Sequence, residues 1–278
     1  MRTKKERADV LLVEQGLSET REKAKRAIMA GLVYAGDERI DKPGVKIPAD
    51  KLLTVKGPVM PYVGRGGLKL EKALSVFEVE VEGKTVIDIG ASTGGFTDCA
   101  LQHGASMSYA IDVGYNQLSW KLRQDERVEV MERTNFRYVT RKELTRGLPD
   151  FATIDVSFIS LKLILPVLGK LLAPASDIIA LVKPQFEAGR EEVRKKGIVR
   201  DPSVHLRVLE EMISFSKTEG YSVMDLSFSP ITGGDGNIEF LLHLKWADEE
   251  AVPAELDPRK VVEEAHESLK NKSREQGD

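Results

Sequence analysis

The sequence predicts an α/β protein: a doubly wound, mostly parallel sheet, with a small α+β module ahead of it. Three observations carry this prediction. From residue 85 onward, short β-branched apolar runs alternate with segments of helical period, as a sheet covered by helices on both faces requires. The first of these runs, in TVIDIGASTGGF at 85–96, breaks at Gly90, Gly94 and Gly95 into a helical pattern, which reads as strand, glycine turn and helix start. Residues 58–67, PVMPYVGRGG, have no period at all and mark a boundary between modules. On these signals the chain divides into an amino-terminal domain at 1–58, a linker at 59–66, a main domain at 67–246 and a charged tail at 247–278.

In the first module, residues 8–15 and 20–30 read as two short helices, parted by Gly16-Leu17-Ser18 and ended by Gly31. Strands follow at Leu32-Val33-Tyr34 and at 51–55, with a turn at Ala35-Gly36-Asp37. Residues 1–57 hold 13 Lys and Arg against 9 Asp and Glu, whereas the whole chain carries -3, so a basic module precedes an acidic body. That asymmetry suits a polyanionic partner. Helix, helix and small sheet together resemble the RNA-binding module named after ribosomal protein S4. The resemblance implies that Arg7 and the basic face of the second helix, Arg21, Lys25 and Arg26, grip phosphates.

A helical period returns at 67–77 through Leu68, Leu70, Ala73, Leu74 and Phe77, with Lys69 in the first turn on another face. A helix leading into the first strand starts at the rim where that strand ends, so Lys69 can face the glycine turn. Further strands are expected at 108–112, 151–155, 178–182, 222–227 and 238–244, and helices at 118–123, 161–172 and 204–218. The turn-rich segment 230–237 makes the last two strands a hairpin, which sets the final strand antiparallel at or near an edge. The tail, nearly all charged and carrying Pro253 and Pro258, reads as a solvated helix with a frayed end.

Composition narrows the chemistry. The single cysteine, Cys99, excludes an intramolecular disulfide and a thiolate-cluster metal site, and the four histidines are scattered, so no metal is expected; Cys99 reads as core packing. No apolar run approaches a bilayer span, and the first ten residues lack the apolar centre of a signal peptide. A cytoplasmic monomer without a membrane partner is expected.

The glycine turn admits a nucleotide-like ligand close to the backbone beside the free N–H groups of a helix start. A dinucleotide is disfavoured, because Ser92 stands where the fingerprint needs its second glycine. The pattern D-x-G-x-x-x-G-G-F resembles instead the S-adenosylmethionine loop of class I, Rossmann-like methyltransferases. The candidate cofactor residues are Asp88, Gly90, Ala91, Ser92, Thr93, Gly94, Gly95 and Phe96, with Asp155, and with Asp112 at the end of the next strand for a ribose diol. Ligands of open α/β sheets lie beyond the carboxyl ends of the strands. Asp155, Lys183, Glu239 and Lys69 are the charged residues expected at that rim.

Across nearly its whole length the chain resembles the TlyA family, in which an S4-like module is fused to an FtsJ-like methyltransferase of ribosomal RNA ribose 2'-hydroxyls. The stretches that carry this are RGGLKL at 65–70, DIGASTGGFTD at 88–98, DVGYNQL at 112–118, ERTNFR at 132–137, DVSFISL at 155–161, LVKPQFE at 181–187 and GNIEF at 236–240. The resemblance implies S-adenosylmethionine as cofactor, ribosomal RNA or a ribosomal subunit as partner, cytidine as target, and Lys69, Asp155, Lys183 and Glu239 as the catalytic set. It also adds Arg65, Arg133 and Arg137 to the RNA contacts. One departure lies in the linker, where some relatives carry Arg-x-Trp-Val and this chain reads Met60-Pro61-Tyr62-Val63.

A ribose hydroxyl needs a general base, and a lysine can serve once burial and a second ammonium lower its pKa. Lys183 is the favoured base, with Lys69 as the neighbouring cation and Asp155 and Glu239 orienting both. Phe158 and Phe186 would wall the methyl group. Two other readings compete: an RNA-binding assembly factor without turnover, and a membrane-lytic haemolysin.

Overall fold

The computed structural model describes residues 5–29, 31–56, 60–189, 191–193, 197–233, 236–248 and 250–275, with side chains as far as residue 268. Gly57 and Pro58 at the end of the expected first domain, Val59 of the expected linker, Ala30 at the end of the second helix, and Gly234 and Asp235 of the last hairpin turn lie outside the described residues. The chain separates into two units, 1–61 and 62–278.

In the first unit, β1 (Lys5–Arg7) leads into α1 (Ala8–Glu14) and α2 (Arg21–Met29), followed by β2 (Val33–Ala35), β3 (Glu38–Arg39), β4 (Lys46–Pro48) and β5 (Thr54–Val55). β1 pairs with β4, and β3, β2 and β5 form a second small sheet. Helical spacing puts Ala8, Leu11 and Leu12 of α1 against Ala24, Ala27 and Ile28 of α2, and Val33, Ile47 and Leu53 close the core beneath them. β1, β3 and β4 were not expected, since two or three residues are too few to show a period of two.

In the second unit, α3 (Gly66–Val76) precedes β6 (Thr85–Ile89), α4 (Gly95–Gln102), β7 (Met107–Ile111), α5 (Trp120–Arg123), β8 (Val128–Met131) and β9 (Phe151–Ile154). Then come α6 (Leu165–Leu168), β10 (Ser176–Val182), α7 (Pro184–Glu187), α8 (Pro202–Thr218), β11 (Tyr221–Phe228), β12 (Phe240–Trp246) and α9 (Pro258–Glu275). The seven strands run in the order β11-β12-β10-β9-β6-β7-β8. β12 is antiparallel to both neighbours, one place in from the edge, while β10, β9, β6, β7 and β8 pair in parallel. Alternation along β6 sorts the core: Ile87 and Ile89 join Leu165, Leu168 and Met212 on one face, and Val86 joins Leu70, Ala73 and Cys99 on the other.

Three elements differ from expectation. β8 is only VEVM, its apolar residues interrupted by Glu129 and flanked by charged ones, so no apolar run announces it. The helix expected over 161–172 is a 3₁₀ turn, Leu161–Leu163, and then the short α6, because Pro166 supplies no amide donor and suits only a helix start. The tail is not solvated throughout. Ala254 N–H donates to Met224 O, and Val262 and Ala265 of α9 are buried against α8 and β11.

The second half of the expected linker belongs to this unit. Tyr62 is buried and its hydroxyl donates to Glu71 at 2.7 Å, while Val63 N–H donates to Asp98 at 2.8 Å. Both contacts draw the start of α3 onto the start of α4. The helices meet through glycine: a Cβ on Gly95 would lie 2.9 Å from Gly67 N and 3.1 Å from Gly64 O, and one on Gly67 would lie 2.3 Å from the Tyr62 ring. Because the obstacle at Gly95 is backbone, Gly95→Ala is expected to push α3 off α4 and cost about 1–3 kcal/mol, which denaturant titration would read as a lower midpoint at unchanged slope.

Candidate active site

The crevice opens where strand order reverses, between β6 and β9, since the connections leave these neighbours toward opposite faces. Asp155 follows β9 at this point, and its N–H donates to Ile89 O at 3.0 Å. Gly90 follows β6 with φ +86°, and a Cβ there would lie 2.5 Å from Asp155 O, so the two strand ends can close together only over glycine.

Asp155 collects both lysines. Lys183, after β10, places Nζ 2.5 Å from Asp155 Oδ1 and 3.1 Å from the Ser157 hydroxyl; Lys69, from the first turn of α3, lies 3.2 Å from Asp155 Oδ2 and 2.8 Å from Glu239 Oε2. Lys69, Lys183 and Glu239 are buried. The four residues expected at the rim are therefore one cluster. At Lys69 two electrostatic effects oppose each other. Burial pushes that ammonium toward neutrality, but the carboxylates of Asp155 and then Glu239 outweigh burial and raise its pKa. Burial likewise works against the Asp155 carboxylate, and the two ammoniums overcome it and lower its pKa.

Two cavities meet at this cluster. One, of about 440 Å³, is lined by Lys69, Asp155, Lys183, Glu239, Arg65 and Phe186. The other, of about 480 Å³, lies between the ends of β6, β7 and β9, with walls from Ile89, Ile111, Val113, Phe136 and Ile159 and a carboxylate from Asp112. Gly90, Ser92, Asp155, Ser157 and Phe158 line both. Asp112 Oδ2 accepts from Ser92 N–H at 2.8 Å and Oδ1 from Gly114 N–H at 2.7 Å, which leaves each oxygen a lone pair toward the cavity. An apolar slot ending in such a carboxylate fits an adenosine. Val113, Asn135, Phe136, Ile159 and Ile164 of this slot escaped the sequence reading. The only signal for them was position, just beyond strand ends.

Other candidates sit differently. Asp88 is fully buried beneath the loop: Oδ2 accepts from Thr97 N–H and the Thr97 hydroxyl, Oδ1 from the Thr153 hydroxyl, and burial foremost raises its pKa to about 6. It braces β6, β9 and α4 and does not line the slot. The glycines also serve packing more than ligand approach. The space beside Gly94, at φ +92°, is filled by Leu118 and Leu122, and that beside Gly95 by the start of α3. Ala91, Ser92, Thr93, Gly95 and Phe96 line the first cavity.

The candidate RNA contacts fall into separate groups. In the first unit, Arg7 and Arg21 both pair with buried Asp9, Lys25 pairs with Glu22, and half-buried Arg26 has a buried Nη1 without a hydrogen-bond partner. Arg7 and Arg21 therefore hold the module together as well as presenting charge. In the second unit, exposed Arg65 and Arg137 line the cavities, and the Arg133 guanidinium lies 3.9 Å from the centre of the Tyr115 ring. Phe158, at φ +63°, is 92% exposed and packs against Phe186 at 5.1 Å, so it is no core aromatic.

Comparison with known proteins agrees with this geometry. Residues 62–246 match the FtsJ-like methyltransferase family and residues 6–52 match the S4 domain. YqxC of Bacillus subtilis, named provisionally as an rRNA methyltransferase, is 70% identical over 275 residues, 98% of each chain. The 16S/23S rRNA (cytidine-2'-O)-methyltransferase TlyA of Mycobacterium tuberculosis is 39% identical over 249 residues, 89% of this chain and 92% of that one. A solved Streptococcus thermophilus structure, described provisionally as a hemolysin, superposes with a TM-score of 0.76 at 56% identity, over 98% of this chain and 99% of that one. The chain belongs to the FtsJ-like methyltransferase family, as a TlyA-type member with an S4 domain ahead of the methyltransferase domain.

Proposed function

We propose that this protein is a cytoplasmic, S-adenosylmethionine-dependent 2'-O-methyltransferase of ribosomal RNA, acting at cytidine. One observation carries the reading: a slot suited to adenosine and a cavity holding two lysines and two carboxylates meet at Asp155. When bound, S-adenosylmethionine supplies an electrophilic methyl group. Asp112 would hold its ribose diol, and the walls of Ile111, Val113 and Phe136 its base.

A ribose hydroxyl attacks such a methyl only as its proton leaves, so the site must contain a base within hydrogen-bond reach. Lys183 fits that role better than Lys69. Lys69 is gripped by two carboxylates and stays an ammonium, whereas Lys183 has a share of Asp155 and a neutral hydroxyl. Lys69 then steadies the attacking oxygen, and Asp155 aligns both lysines. A scaffold or assembly factor has no need of three buried charges gathered around Asp155, whose removal from water is costly. The hemolysin name of some relatives points to no feature of this site; among the described residues no helix is long and apolar enough to cross a membrane.

Asp112→Ala is expected to weaken S-adenosylmethionine binding by about 1.5–3 kcal/mol, measured by calorimetry, because a charged acceptor is removed. Unchanged affinity in a folded variant would place the diol elsewhere. Lys183→Met is expected to cut single-turnover methyl transfer to ribosomal RNA by roughly a hundredfold to ten-thousandfold with cofactor affinity nearly intact. Lys183→Arg should fail too, since a guanidinium keeps its proton; a variant that retained most of its rate would make the residue an electrostatic clamp. Replacing Arg65 and Arg137 by Ala should flatten the plot of log affinity for RNA against log salt by about 0.7–0.9 for each phosphate that is no longer neutralised, and an unaltered slope would remove them from the interface.

A further inference from the structure

The loops that follow β9 and β10 are joined at two places. At the near end Lys183 meets Asp155 and Ser157. The far join is made by Glu187, the last residue of α7. Its Oε2 accepts from the Ser160 hydroxyl at 2.6 Å and its Oε1 from Leu161 N–H at 2.7 Å. Both carboxylate oxygens are thus engaged by the neighbouring loop, at the point where it enters the 3₁₀ turn. Ser160 caps that turn by accepting from Lys162 N–H at 3.1 Å.

Between the two joins lie Phe158 and Ile159. Phe158 adopts φ +63°, a region that is costly for a residue with a side chain and persists only where the surroundings impose it. Its ring is almost wholly exposed, so burial of that ring does not supply the compensation. The ends of the loop do. One end is fixed by Asp155, between β6 and the lysines; the other is fixed by Glu187. Glu187 lines neither cavity at the cluster, yet the loop it holds lines both.

We propose that Glu187 is a positioning residue for methyl transfer: by clamping Ser160 and Leu161 it sets the path of residues 155–160, and through them the Asp155 and Ser157 groups that hold Lys183. The inference rests on the proposed methyltransferase reading only for its effect on rate. A charge-assisted pair of bonds to one backbone N–H and one hydroxyl is among the stronger hydrogen-bond arrangements available to a partly buried carboxylate. Without it the far end of the loop would be held only by the packing of Ile159 and Leu161 into the core, although every group that touches substrate would still be present.

Three variants of the full chain test this: Glu187→Ala, Glu187→Gln, which keeps an acceptor for Leu161 N–H, and Ser160→Ala, which removes only the hydroxyl donor. Hydrogen exchange over residues 155–163 reads the clamp without reference to activity. Glu187→Ala should lose at least tenfold in protection there, Ser160→Ala less, and Glu187→Gln should recover most of it. In single-turnover transfer to ribosomal RNA, Glu187→Ala should lower the rate at saturating cofactor and RNA at least tenfold while KM for RNA moves less than threefold, with Glu187→Gln restoring the rate. Unchanged exchange, or a lowered melting temperature with an unchanged saturating rate, overturns the proposal. If Glu187→Ala fails to fold, Ser160→Ala decides by the same two readouts. A wild-type protein that transfers no methyl to any ribosomal RNA would sink the functional reading instead, and the exchange comparison would still settle whether Glu187 holds the loop.

Discussion

Asp155 sits between two buried ammoniums, and much of the second unit follows from the need to keep it there. Moving a single ion from water into a protein interior costs several kcal/mol, so buried charges are tolerated only where partners of opposite sign stand within contact distance. Lys69 comes from α3, Asp155 from β9, Lys183 from β10 and Glu239 from the turn before β12. Each delivery depends on a local concession. α3 reaches the rim because Gly67 and Gly95 let two helix starts touch; Asp155 can lie against β6 because Gly90 has no Cβ; Glu239 fits because Gly233 lacks a Cβ, which would stand 2.7 Å from its Oε1. Gly90 and Gly95, which look like part of a ligand loop, are in large part the spaces through which Asp155 and the start of α3 come together.

How much of this was legible depends on which interaction decides each feature. The strand, turn and helix at 85–96 were readable because β-branched periodicity and glycine act locally, and the four charged residues because strand ends in an open sheet face one crevice. β8 was not readable, since Val128 and Val130 are held by pairing with β7 and by no apolar run of their own. Asp88 was misplaced for a related reason. Its spacing before the glycines suits a cofactor contact, but its side chain points into the layer where Thr97 and Thr153 await it, and neither threonine is marked in sequence as a partner. The tail misled through composition: charge dominates its average, while Val262 and Ala265 occur at the helical spacing that buries one narrow face.

The first unit shows the same economy on a smaller scale. Asp9 is buried, accepts from Arg7 and Arg21, and its pKa is lowered to about 2, first by the hydrogen bond from Arg7 and against the opposing effect of burial. A carboxylate whose folded pKa is depressed contributes stability that is present above its ordinary pKa near 4 and disappears as pH falls toward about 2. The guanidiniums keep roughly half of their surface in solvent while they do this. An arginine fixed by a carboxylate gives up less freedom on meeting a phosphate than one that is free, because its planar fork is already oriented. The basic face of the module is then a set of oriented donors rather than a diffuse charge.

The charge state that the cluster satisfies also bears on catalysis. With Lys183 protonated, two ammoniums face two carboxylates, and Asp155 is hydrogen-bonded or ion-paired at both oxygens. In the reaction proposed above, that is the balance that would exist after Lys183 has taken the proton of a ribose hydroxyl, not before. Groups fixed in advance to suit charge as it develops lower a barrier more than groups that must reorganise, because only interactions stronger in the transition state than in the ground state accelerate the step. On that proposal Lys69, held charged by two carboxylates, could not exchange roles with Lys183 without breaking that balance. On that proposal the asymmetry between the lysines follows from where Glu239 stands: it pairs with Lys69 and leaves Asp155 to receive the ammonium that the reaction would create.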